Sequence, residues 1–415
     1  MFPITHYGSK ADGTTLNTMA FSQAVAAARV AGGGVVDVPA GEFLTGAIHL
    51  DSNIELHLEA GATVKFSANT DDYRPLVLTR WEGLDVMNWS PMVYAFGATN
   101  VAITGTGTLQ GPGETWGGGV PAWVSGAPAE DKRIYDLWST MLAGIVGPPT
   151  ASQVPISGVT KGLRPTFVEC NGCTNFLFDG PTLTASVYWA IHPLYSKNVI
   201  VRNSKIDTSS SSSNGDGTDP DSCDTTLIDN MTYATSDDII AVKSGLNEVG
   251  IAVNRPNHNL VVRNVRASTG HGFSIGSEMS GGVNNVFVSS DAPITWTNLQ
   301  YLMRIKTLPG RGGLIQNVFF ENVDGTGIKN ALLITTDYSS STIVPHGNTA
   351  IPIIKNITMK NIRAAGGVSL VGLASQPLQA ITFDTVDVTG QSNCTSVTGL
   401  DIVNSSIGIT GTSCK

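Results

Sequence analysis

Charge is scarce in this chain. Only 14% of its 415 residues are Asp, Glu, Lys or Arg, and acids outnumber bases to leave a net charge of −9. The missing basic excess argues against a nucleic-acid partner, and any acidic ligand must be held by local cations, not by the overall field. Cysteine is sparse too. Cys170, Cys173, Cys223, Cys394 and Cys414 are an odd set, too few for a disulfide framework. Cys170 and Cys173 form a C-x-x-C with no second pair, which speaks against zinc; Cys223 reads as a buried thiol. No apolar run reaches membrane-spanning length. No signal peptide is visible: the opening MFPITHYGSKADGTT looks like the start of a mature domain with an added methionine. Asn-Gly turns between strands are scarce, which weighs against a β-sandwich. Glycine is plentiful, at 46 residues, but lacks the three-residue period of collagen.

What the chain has in quantity is the short strand. After one amphipathic helix at residues 17–30, where Phe21, Val25 and Ala28 recur at helical spacing, AGGG stops the helix and a strand-and-turn pattern begins. From Phe167 onward the repeats are plain: NFLFDGPTL, NVIVRNSKI, TTLIDNMTY, NLVVRNVRA, IQNVFFENV, IKNITMKNI, QAITFDTVDV. Each alternates core-facing and solvent-facing residues. Most carry an Asn, which tolerates left-handed corners and can hydrogen-bond in stacks. One such unit cannot bury its apolar face alone; a stack can. The expected fold is therefore all-β: one right-handed parallel β-helix domain over residues 1–415. Residues 17–30 would cap it, 111–165 form a loop-rich insertion with Trp116, Trp123 and Trp138, and 390–415 make the last coil and cap.

Four polar signatures interrupt the strands: NGDGTDPDS at 214–222, SDDIIAVKSG at 236–245, GHGFSIGSE at 270–278 and RIKT at 304–307. Their spacing suits one site built on successive turns. Asp216, Asp237 and Asp238 offer paired carboxylates, one to protonate a leaving oxygen and one to activate water. Crowding raises at least one of their pKa values. Asp237 and Asp238 are adjacent, so both reach one cleft only if a turn or bulge breaks the strand there. The glycines around His271 leave room for a ligand near the backbone. Arg304 and Lys306 point the same way and can pair with the carboxylates or bind an acidic sugar. Asp216, Asp219 and Asp221 form a D-x-x-D-x-D that can ligate calcium, although Asp219 and Asp221 read better as turn residues supporting Asp216. Lys243 is either a substrate contact or a surface lysine; His192 and Tyr188 either line the cleft or pack in a coil.

In this order the four signatures resemble those of glycoside hydrolase family 28, the polygalacturonases and related pectin-degrading enzymes. The opening coils and the stretches RWEGLDVMNWSPMVYAFGATNVAITGTGTLQG and VYWAIHPLYSKNVIVRNSKI look similar as well. The resemblance implies an inverting hydrolase without cofactor or metal. Asp237 would be the general acid, Asp216 and Asp238 would activate water, and His271 would tune the acid. Arg304 and Lys306 would bind the galacturonate; beyond the resemblance, Lys243 and His192 are further candidate contacts with it. Gly215 replaces the usual threonine of the first signature, and Ser236 precedes the aspartate pair. The long first and third signatures resemble exo-acting members more than endo enzymes. The other readings are endo-polygalacturonase, a xylogalacturonan or rhamnogalacturonan hydrolase, a calcium-dependent pectate lyase, and a β-helix that only binds polysaccharide. A secreted monomer acting on pectic polysaccharide, away from nucleic acid and membrane, is expected. The family likeness, with the short loop it would close, makes a Cys394–Cys414 bridge as expected as two free thiols.

Overall fold

In the repeated runs every second side chain is buried. Asp224–Asp229 buries Thr226 and Ile228, and Asn257–Arg263 buries Leu260 and Val262. Stacking such runs in register lines up one core row: Phe176, Val199, Thr226, Leu260, Val286, Val318, Ile357 and Ile381 lie on successive strands. The computed structural model describes residues 1–116, 164–211, 213–290, 294–338 and 348–414. Across these the strands pair in parallel, coil on coil, and form a right-handed parallel β-helix with the core along its axis. Most of the 111–165 insertion, including Trp123 and Trp138, lies outside the described residues.

Helix Thr18–Val30 buries Phe21, Val25 and Ala28 against the N-terminal coils, as the spacing predicts. It covers apolar surface that the first coil would otherwise expose. At the other end, Ser392–Val403 and Ile409–Cys414 continue the stack, and Cys394 is bonded to Cys414. Cys170 and Cys173, read above only as an unlikely zinc pair, are also bonded. They flank the turn that follows Val168–Asn171, with Cα atoms 5.8 Å apart. Cys223 is a buried free thiol.

The asparagine corners form the expected ladder. Asn100 donates to Asn53, Asn175 to Asn100 and Asn198 to Asn175 at 2.8–3.0 Å. Beyond a gap, Asn285 donates to Asn259, Asn317 to Asn285 and Asn356 to Asn317. All eight have φ between 55° and 63°. The rung in the gap is Thr225, also left-handed at φ 63°, a conformation unfavourable for a β-branched residue. Its hydroxyl, like the Asn259 amide, turns to Asp224. Thr225→Asn should relieve this strain and close the ladder, stabilising the fold by about 1 kcal/mol. An unchanged or lower urea midpoint would show that the gap costs nothing.

One element breaks the parallel pattern. Val77–Trp81 and Leu84–Asn88 form an antiparallel hairpin that lies on the solvent side of the sheet carrying Ile48–Leu50, Val93–Phe96, Val168–Asn171 and Ile191–Leu194. The carbonyl of Leu78 accepts from Tyr94 Oη at 2.6 Å and Asn171 Nδ2 at 3.1 Å, and the Thr79 hydroxyl bonds Glu169.

Candidate active site

The four signatures meet on that same sheet, farther along the axis. Parallel bridges carry it from Ile191–Leu194 through Thr218 and Asp221 to Ile240–Val242, then Phe273–Gly276 and Tyr301–Lys306. Asp237 and Asp238 sit in a bend between Thr232–Ala234 and Ile240–Val242, not in a strand. The required break is there, and both carboxylates reach the same cluster. Lys306 Nζ is 2.9 Å from Asp238 Oδ2. The Arg304 guanidinium pairs with Asp238 Oδ1 and lies 4.0 Å from Asp237. Ser274, beside Arg304 in the ladder, donates to Asp238 at 2.8 Å and accepts from Arg304 Nε at 2.9 Å. His271 Nδ1 lies 2.8 Å from Asp237 Oδ1.

The glycines flanking His271 serve a purpose other than the one expected. A Cβ on Gly270 would lie 2.2 Å from Thr235 Oγ1, and one on Gly272 would lie 2.0 Å from the Tyr301 carbonyl. Neighbouring coils fill that space, so the glycines permit close stacking and leave no gap for a ligand.

The resting charges follow from these contacts. Burial pushes Asp238 up, but the Arg304 and Lys306 charges outweigh it and hold the group well below the usual carboxylate range. Burial and Asp238 also push Asp237 up, yet the His271 hydrogen bond and the Lys306 charge keep it low. Asp216 goes the other way: burial first, then the charges of Asp219 and Asp237, raise it well above its usual value. Its Oδ1 has no hydrogen-bond partner among the described residues. Of the three, Asp216 is the carboxyl whose surroundings favour the neutral form, while Asp237 and Asp238 are the two held low.

Lys243 is not a surface residue. It lies beneath the cleft, 3.8 Å from Asp219 and 3.4 Å from Glu278, with Nζ 4.1 Å from the Trp189 ring centroid. Burial raises Asp219 to about 8 despite Lys243. His192 is likewise no cleft residue: it is fully buried between Glu169, 3.2 Å away, and Asp221, 3.6 Å away. The hairpin is the reason. Its Thr79 ties down Glu169, and its Arg80 pairs with Asp221 at 2.7 Å and Asp85 at 2.8 Å, so the residues around His192 are roofed over. Tyr188 is buried as well, stacked on Trp189.

Asp237, Asp238 and His271 each present a ligand atom within 4.8 Å of the others. Arg304 and Lys306 already neutralise that group, and Arg80 and Lys243 meet Asp221 and Asp219, so a divalent ion would face resident cations at either place. Sequence reasoning missed Arg80, Glu169, Arg164 and Glu82, which lie outside the signatures; Glu278 closes the third signature and was legible there.

The profile of Glycosyl hydrolases family 28 matches residues 157–414. The chain is 29% identical to a probable polygalacturonase of Vitis vinifera over 99% of this chain and 79% of that one. It is 28% identical to an exo-poly-alpha-D-galacturonosidase of Dickeya chrysanthemi over 81% of this chain and 57% of that one. The crystal structure of a hyperthermoactive exopolygalacturonase from Thermotoga maritima superposes with a TM-score of 0.80 at 33% identity, covering 97% of this chain and 91% of that one. With the profile covering more than half the chain, and the fold agreeing with it, this protein belongs to glycoside hydrolase family 28.

Proposed function

We propose that the protein hydrolyses α-1,4-galacturonosidic bonds of homogalacturonan with inversion, releasing short products from a chain end. The observation that carries this is the pair Arg304 and Lys306, held on one strand directly against Asp238 and beside Asp237. A carboxylated sugar has two cations to bind at the place where carboxyls can exchange protons. In the reaction, water attacks the anomeric carbon while the glycosidic C–O bond breaks. Asp237 gives its proton to the leaving oxygen, and Asp216 and Asp238 take up the proton of the water. His271 holds Asp237 in place. Lys243 and Glu278 support the floor of the cleft from below.

The exo reading rests on the hairpin. Its tip reaches across the cleft: the Gly83 carbonyl accepts from the Leu246 amide at 3.2 Å, and a Cβ on Gly83 would lie 3.1 Å from Glu278 Cγ. Leu246 precedes the short helix Asn247–Val253, so two loops meet there as a wall. The substrate is a cell-wall polymer, and the protein is proposed to meet it outside the cytoplasm as a monomer.

A product time course on de-esterified homogalacturonan tests this. Saturated mono- or digalacturonate from the first minutes is the expected result. An early ladder of saturated oligomers would replace exo by endo action, and unsaturated ends would replace hydrolysis by elimination.

A further inference from the structure

Glu82 occupies the tip of the hairpin, in the wall itself. Its backbone is left-handed, with φ 45°, which turns the chain sharply between Trp81 and Gly83. On one side Trp81 is buried and stacked on Tyr188, ring centroids 6.3 Å apart. On the other, Gly83 is wedged against Leu246 and Glu278. The tip is pinned at both flanks, so the Glu82 side chain is held in place and only partly exposed. Glu278, Arg164, Lys243 and Arg311 are the charged groups that face it. Arg164 in turn faces Asp216 and Asp237 and lies over the Tyr188 ring. Arg164 also donates to Asn214 Oδ1 in the first signature at 2.8 Å, so the hairpin tip is tied through Trp81, Tyr188 and Arg164 to the segment that carries Asp216.

Several polar atoms around this point have no hydrogen-bond partner among the described residues although they are buried: Trp81 Nε1, Tyr188 Oη, Arg164 Nε and Asp216 Oδ1. Leaving such groups unpaired is costly, and a polyhydroxylated ligand supplies partners for them. A sugar at the end of a polymer differs from an internal one in a single chemical respect at its linkage position. It carries a free hydroxyl where the internal sugar carries a glycosidic oxygen.

We propose that Glu82 recognises the chain end, its carboxyl donating a hydrogen bond to the free hydroxyl of a terminal galacturonate. This rests on the exo reading above and deepens it, since the hairpin then selects the end chemically as well as blocking passage. Burial, reinforced by the Glu278 charge, raises the Glu82 carboxyl to about 8 against the opposing pull of Arg164, Lys243 and Arg311. It therefore keeps its proton at neutral pH and can act as a donor. A site that bonds a hydroxyl discriminates strongly against an analogue lacking it.

The test compares kcat/KM on three substrates for the wild type, Glu82→Ala, Glu82→Asn and Glu82→Gln. The substrates are trigalacturonate, its analogue with a 4,5-unsaturated non-reducing end, which lacks the 4-hydroxyl, and its methyl glycoside, which keeps the ring but has no free anomeric hydroxyl. Asparagine suits the left-handed backbone, so it covers the case in which alanine disturbs the hairpin. The wild type should prefer trigalacturonate strongly over one of the two modified forms, which also tells which end is bound. Alanine and asparagine should lose roughly ten- to a hundredfold on trigalacturonate and much less on that modified form, so the preference collapses. Glutamine still donates and should keep most of it, including above pH 8, where the wild-type preference fades. Absence of any preference in the wild type, an equal loss on all three substrates, or an unchanged preference in the alanine and asparagine variants would each overturn the role of Glu82. The exo reading fails separately, by the wild type producing an oligomer ladder from polymer.

Discussion

Asp237→Asn should lower kcat on polygalacturonate by roughly 10²- to 10⁴-fold and leave the thermal midpoint unchanged or slightly raised. The loss follows from the chemistry, because the amide has no proton to give the leaving oxygen. The unaltered stability follows from the contacts. The oxygen of the new side-chain amide would still accept from His271 Nδ1, and the change removes a negative charge from the crowded carboxyl cluster while Arg304 and Lys306 remain paired with Asp238. A variant that loses activity and stability together would mean that Asp237 is structural. The low resting pKa of Asp237 adds a second expectation. Lys306 is one of the groups that keeps it low. A galacturonate carboxylate arriving at Arg304 and Lys306 offsets their charge, and a carboxyl relieved of nearby cations rises. The pKa attributed to the acid should therefore be higher in the pH profile of kcat, which reports the complex, than in that of kcat/KM, which reports the free enzyme. Equal values would remove the substrate from the protonation of its own acid.

Arg80→Ala should cost about 3–5 kcal/mol, the usual result of stripping one partner from a buried ion pair. Arg80 is fully buried. It bonds Asp85 and Asp221 and lies 4.4 Å from the Tyr195 ring centroid. Without it Asp221 keeps His192, 3.6 Å away, and the less direct charge of Lys243. The loss should be read as a lower urea midpoint together with proteolytic cutting near residues 77–88, since Arg80 is what fastens the hairpin to the solenoid. It should also depend on pH. Burial opposes the charge on His192, but the nearby carboxylates of Asp221 and Glu169 overcome it and raise the group to about 9, above its ordinary 6.5. A raised base stabilises the fold fully below about pH 6.5, and that contribution disappears as pH rises through about 9. The wild type should weaken over that window, and the variant, which leans more heavily on His192 there, should weaken more steeply. A pH-independent loss would exclude His192 from the cluster's balance.

These two sites differ in how openly the sequence announces them. The aspartates, His271, Arg304 and Lys306 sit in compact signatures, and stacking of equal coils brings consecutive signatures together almost automatically. The strands were legible for a similar reason: alternation and left-handed asparagines are local properties. The hairpin was not. Arg80 meets Asp221 across 141 residues, and no local pattern encodes that pairing. The misreading of His192 follows from it, since a histidine in an outward-facing row is exposed only if nothing lies on top. The glycines beside His271 misled for another reason. Glycine marks a close approach, and the sequence does not say whether a ligand or the next coil approaches. Glu82 carries no motif at all; its environment is assembled from four separate coils and loops.

The asparagine ladder has a bearing on how such a molecule can change over generations. Bonded rungs are separated by as few as 23 residues and as many as 75, yet each asparagine corner keeps the same left-handed turn and, on either side of the gap at Thr225, the same bond to its neighbour. A coil can therefore lengthen away from that corner without shifting the strands that hold the cations and carboxylates. Variation in loop length falls on the rim of the cleft, while the reacting groups stay in register. A lineage can in this way trade open clefts for closed ones by insertion alone, with the chemistry inherited intact.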